Sequence, residues 1–178
     1  MGIHNIQKIF ENMQNEKMLI SGPRPRLIPV LLLKDGLIVR SQLFKVHQVI
    51  GNPISTTMRY SNWNVDELII LDISRGEDNH DLRRDDLQQS YEGSNSIDVL
   101  KEIAKVSFMP LTFGGKLKSI GDIEKCLEAG ADKVTLNTAA FDNPEFLQEA
   151  SRRFGSQCIV ASIDAKKNNL GSWDVFVD

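Results

Sequence analysis

Gly114-Gly115-Lys116 closes the apolar run Pro110-Leu-Thr-Phe, and Asn137-Thr138 closes Asp132-Lys-Val-Thr-Leu. Small and polar residues at the end of an apolar run are where ligands collect when the runs are parallel strands. An amide, a hydroxyl and a following helix start could together meet an anion at Asn137 and Thr138. Capping of that helix explains the same two residues. Lys116 reads either as a cation for the anion or as a solvated loop lysine. A second set of chemistry-bearing residues sits at run starts: Arg26, Glu67 and Lys133. Starts of parallel strands share one rim, so the three charges should converge there, as a stabilising cluster or as something more specific.

Five short runs rich in branched apolar residues are expected as strands: 27–33, 67–73, 108–113, 133–137 and 157–163. Their near-continuous hydrophobicity argues for a parallel sheet covered on both faces. Helical patterns separate the last four. Ser119 with Asp122 forms a capping-box-like start, Ile120, Ile123 and Leu127 form a buried stripe, and Gly130 stops the helix. Asn143-Pro144 starts the next helix, Phe146, Leu147, Ala150 and Phe154 line it, and Gly155 ends it. Strand–helix alternation at this spacing means right-handed βαβ units, an α/β fold.

The chain has 178 residues and a net charge of −3, which points away from nucleic acid and anionic membranes. Cys126 and Cys158 lack CxxC spacing and read as apolar residues rather than a disulfide. His4, His47 and His80 have no metal-ligand spacing, and Trp63 and Trp173 carry no catalytic signal. No run nears the length of a membrane span. A cytoplasmic protein without metal or organic cofactor is the expectation.

Residues 1–25 form an N-terminal extension, with Met18 an alternative start. Residues 74–96 form a polar loop inserted on the ligand-facing end. Residues 26–178 supply four βα units, a fifth strand and a tail from Trp173 that reads as a further short strand. A closed eight-stranded barrel takes roughly 200 residues or more. The chain is therefore expected to be a half-barrel completed by another chain, or a fragment.

The segments beginning at Leu27, Val65, Leu111, Ala131 and Phe154 follow one another in an order that resembles the cyclase subunit of imidazole glycerol phosphate synthase, the HisF family. The resemblance covers about residues 24–178 and implies a (βα)₈ TIM barrel. It implies an activity in which ammonia from a glutaminase partner is used on a phosphorylated ribosyl substrate. Two aspartates would share the acid and base roles, and Asp164 stands at one of the two positions. The other is Leu32, which can carry no proton. Gly114, Gly115 and Lys116 match the family's phosphate loop, with lysine at the third glycine, and Asn137 and Thr138 match its other phosphate contacts. Arg40 matches a mobile basic loop position that helps hold substrate. Arg26, Glu67 and Lys133 match a salt-bridged gate for ammonia, and Asp132 adjoins it as a glutaminase contact.

Leu32, together with the polar insertion, resembles a divergent branch associated with acetamidino groups on surface-polysaccharide sugars. The expected function is thus an ammonia-receiving barrel subunit in sugar amidation. It would work beside a glutaminase and an amidotransferase-like ligase, with a phosphorylated sugar or nucleotide as ligand. The alternatives are the cyclase of histidine biosynthesis and a non-catalytic half-barrel scaffold.

Overall fold

The computed structural model describes residues 24–43, 45–74 and 95–176. Most of the polar insertion expected over 74–96 and most of the N-terminal extension lie outside the described residues. Strands β1 (Val30–Lys34), β2 (Leu37–Gln42) and β3 (Val46–Gly51) precede helix α1 (Pro53–Asn62). Then come β4 (Leu68–Asp72), α2 (Ser96–Val106), β5 (Leu111–Gly114), α3 (Ile120–Glu128), β6 (Lys133–Leu136), α4 (Thr138–Asp142) and α5 (Pro144–Phe154). A short turn of 3₁₀ helix leads into β7 (Ile159–Ala161), and β8 (Asp164–Lys167) and β9 (Trp173–Phe176) follow.

The main sheet runs β3-β2-β1-β4-β5-β6-β7, and β1, β4, β5, β6 and β7 are parallel neighbours in chain order. This is the strand succession of a partial (βα)₈ barrel. Side chains alternate across each strand. Leu31, Leu33, Leu68, Ile70, Leu111, Phe113, Val134 and Leu136 therefore share the core with α2, α3 and α5, through Leu100, Ile103, Ile123, Phe146 and Ala150. The other face carries a lateral row in register: Leu32, Leu71, Gly114, Thr135 and Val160.

The expected helix ends are present. Ser119 and Asp122 form a reciprocal capping box, and Asn143 accepts from the Phe146 N–H ahead of Pro144. Other expectations are corrected. The third parallel strand begins at Leu111 rather than at 108, and Phe108 is 91 % exposed ahead of it. The tail is a short strand, as expected, and this strand, β9, pairs antiparallel with β8. A hairpin, β2–β3, follows β1 directly, where a loop was expected. Its turn is Asp35-Gly36, with φ of 48° and 79°. Two left-handed residues in a two-residue turn match the right-handed twist of the strands. The hairpin pairs β2 with the upper part of β1, from Leu32 to Lys34.

Candidate functional site

At the strand-start rim, Glu67 is 4 % exposed and is bonded on every side. Arg26 Nη2 donates to its Oε2 at 2.9 Å, Thr112 Oγ1 to its Oε1 at 2.7 Å, and Lys133 Nζ to both oxygens at 2.8 Å. Burial pushes the Glu67 carboxyl up. The Lys133 ammonium, the Thr112 hydroxyl and the Arg26 guanidinium outweigh it and leave the group below its usual range. The three charges singled out in the sequence are therefore in direct contact.

Thr112 is the member that sequence reading missed. Also missed was how the cluster is framed. The N–H of Leu27 donates to Asp66 Oδ2 at 2.7 Å, and the N–H of Leu111 to Asp132 Oδ2 at 2.8 Å. Each aspartate returns its own N–H to the carbonyl of the same residue. The signal was present: an aspartate stands immediately before a charged strand opener in both Val65-Asp-Glu-Leu and Ala131-Asp-Lys-Val. Asp132, expected as a partner contact, is thus engaged within the chain at the start of β5.

At the opposite rim Gly114 and Gly115 have no room for a side chain. A Cβ at Gly114 would lie 2.3 Å from Thr135 Cγ2, and one at Gly115 would lie 2.1 Å from the Asp72 carbonyl oxygen. Gly115 also has φ of 101°. These glycines let β5 end hard against β4 and β6, whatever ligand they meet. Lys116 follows with φ of 60°, a left-handed conformation that costs a lysine about 1–2 kcal/mol. Its Nζ lies 3.8 Å from Asp72 Oδ2. Asp72 is buried, and its Oδ1 accepts from both the N–H and the hydroxyl of Ser74.

Asn137 stands at the start of α4 but makes no capping bond with its side chain. Its Nδ2 donates instead to Asp164 Oδ2 at 2.7 Å. The capping explanation of the Asn137 amide is thereby replaced by a tie to the candidate acid. Asp164 is exposed and opens β8 rather than ending the fifth parallel strand. Thr138 is exposed at the head of α4. Leu32 is half-buried, facing away from the helices beside Leu71. Arg40 is corrected in place: it is an exposed residue of β2, paired with Gln48, and not part of a loop.

The N-terminus of α3 is closed to anions by its own carboxylate. Asp122 Oδ2 accepts from the N–H groups of Lys118 and Ser119. Burial pushes that carboxyl up, yet these bonds hold it below its usual range. Cys126, on the buried side of α3, has its thiol pushed up to about 11 by burial and then by Asp122. It behaves as an apolar core residue. Among the described residues no three His, Cys, Asp or Glu side chains gather as a metal site. No described helix is long and apolar enough to cross a membrane.

A family profile described as "Histidine biosynthesis protein" matches residues 26–178. The imidazole glycerol phosphate synthase subunit HisF of Staphylococcus saprophyticus is 44 % identical over 142 residues, 80 % of this chain and 51 % of its own length. The same subunit of a Hydrogenobaculum species is 40 % identical over 154 residues, 86 % of this chain and 56 % of its own. A putative imidazole glycerol phosphate synthase subunit hisF2 of Campylobacter jejuni is 42 % identical over 144 residues, 81 % of this chain and 52 % of its own. The chain spans about half the length of the curated relatives it matches. The ordered parallel strands, the two charged rims and this span of similarity agree: the chain belongs to the HisF-like histidine biosynthesis protein family.

Proposed function

We propose that residues 26–178 are the N-terminal portion of a cytoplasmic, HisF-type cyclase barrel that takes ammonia from a glutaminase partner and uses it on a phosphorylated ribosyl substrate in histidine biosynthesis. The match to the histidine biosynthesis family over residues 26–178 carries this reading. It stands ahead of sugar amidation because the curated relatives bear the name of the synthase. In this reading residues 1–25 precede the barrel and 74–96 extend its ligand end.

The parts would divide as follows. Arg26, Glu67 and Lys133 form a gate for ammonia, with Asp132 beside it on the docking rim. Backbone groups of Gly114 and Gly115, the Lys116 ammonium, Asn137 and Thr138 hold phosphate, and Arg40 reaches the substrate from the hairpin. Asp164, oriented by Asn137, exchanges the proton. The polar tie between Asn137 and Asp164 at 2.7 Å supports that assignment.

One observation favours a second reading. Leu32 faces the ligand side of β1 and supplies no proton, so amidation of a surface-polysaccharide sugar, with an amidotransferase-like ligase, needs only the gate and the phosphate loop. Turnover of the ribosyl substrate by the purified protein, with ammonium salt in place of the glutaminase, separates the two. Cyclase turnover, increased by Leu32→Asp, is expected. A folded protein with no turnover, either as it stands or as Leu32→Asp, sinks the cyclase reading in favour of the sugar.

A further inference from the structure

The end of β4 is bonded to the strand on one side of it and faces the loop on the other. Leu33 and Asp72 are register partners on β1 and β4, and the Ile73 N–H donates to the Leu33 carbonyl at 2.8 Å. The next rung of a parallel ladder would take the Asp35 N–H to the Ile73 carbonyl. It goes instead to Ser74 Oγ, at 2.9 Å. The Ser74 hydroxyl thus replaces a backbone acceptor where β1 gives way to the Asp35-Gly36 turn. A serine that only closed the chain's own turn after Asp72 would need no contact with β1.

The same hydroxyl donates to Asp72 Oδ1, which also accepts from the Ser74 N–H at 2.9 Å. A hydroxyl can accept one bond and donate another at once, and each strengthens the other. Asp72 is only 7 % exposed, so its charge depends on such donors. Its second oxygen, Oδ2, faces the half-exposed Lys116 ammonium at 3.8 Å, and its backbone lies against Gly115. One row of contacts therefore runs from the hairpin turn through Ser74 and Asp72 to the glycine loop after β5.

We infer that Ser74 is a positioning residue: through the buried Asp72 carboxylate, its hydroxyl couples the turn of the β2–β3 hairpin to the glycine loop that carries Lys116. The hairpin and the loop are then set relative to each other by one side chain, rather than each finding its own place. This coupling holds whichever ligand the rim takes. It also has a direction. Removing the Lys116 charge leaves more of the Asp72 negative charge to the Ser74 hydroxyl, which in turn accepts more strongly from the Asp35 N–H.

Amide NMR spectra of the isotopically labelled full chain provide the test. Ser74→Ala should let the Asp35 amide exchange with solvent about tenfold faster, the effect of losing one hydrogen bond. Ser74→Thr, which keeps the hydroxyl, should retain the slow exchange. Lys116→Met should move the Asp35 amide proton signal downfield in the otherwise unaltered protein and in the Ser74→Thr background. In the Ser74→Ala background it should leave that signal in place. Ser74→Cys, close in size but a weak donor and acceptor, gives the same comparison if the alanine variant does not fold. Unchanged Asp35 exchange in Ser74→Ala, or in Ser74→Cys, overturns the role of Ser74. An Asp35 signal that Lys116→Met leaves unmoved, or moves equally without the hydroxyl, overturns the coupling and reduces Ser74 to a local cap of the turn.

Discussion

The two rims of the sheet handle charge in opposite ways. At the strand starts Glu67 is buried with two cations and a hydroxyl on its two oxygens, and nothing in the cluster lacks a partner. At the strand ends Lys116 lies 3.8 Å from Asp72 Oδ2, and Asp164 is exposed with a tie to Asn137. A fully matched buried cluster rigidifies and orders the strands that carry it, while exposed charges on long spacings leave their side chains free to move. The same sheet therefore carries one rim of closely matched, buried charge and one of looser, more exposed charge.

The comparison can be broken most sharply at Gly115. Gly115→Ala places a methyl against the Asp72 carbonyl and forces a left-handed alanine, at a cost of about 3 kcal/mol. Urea unfolding measures it, and a midpoint equal to that of the unaltered protein would contradict the packing described. At the other rim Lys133→Met leaves Glu67 buried with Arg26 and Thr112 alone and should cost about 2 kcal/mol, the partial exposure of Lys133 tempering the figure. Charge reversal, Lys133→Glu, should also abolish glutaminase-dependent ammonia transfer while ammonium-dependent activity persists; intact transfer argues against the gate.

The pH dependence sharpens the contrast further. The Glu67 carboxyl is held below its ordinary value in the folded chain. Its contribution is therefore fully present above the unfolded glutamate value of about 4.3 and is lost as pH falls through the lower folded value. Glu67→Gln should flatten the acid limb of the stability curve, and an unaltered limb would mean that the cluster is not what the acid titrates. The smallest effect has the opposite sign. Lys116→Gly relieves a left-handed lysine and should raise stability by about 1 kcal/mol while weakening binding of the phosphorylated ribosyl substrate proposed for this rim. A loss of stability there would show that Lys116 holds the loop rather than the ligand.

The parallel strands, their order and the capped helices were legible because each rests on local chemistry: branched apolar runs, a Ser119–Asp122 box, a proline after Asn143. Convergence of Arg26, Glu67 and Lys133 was also legible, since parallel strand starts share a rim. The hairpin was missed although Asp35-Gly36 is a strong turn signal, because its strands carry polar residues such as Gln42 and Gln48 that resemble a loop. The placement of Asp164 beyond β7 depended on where pairing stops, which no single residue declares.

The aspartates before β4 and β6 bear on how the chain is made. Asp66 closes on Leu27 across 39 residues and Asp132 on Leu111 across 21. Each joins a strand already delivered by the ribosome to the one just emerging. At roughly 5–20 residues per second, each latch can close within seconds of translation. Assembly can then proceed from the N-terminus in short steps, without waiting for a distant segment to be synthesised.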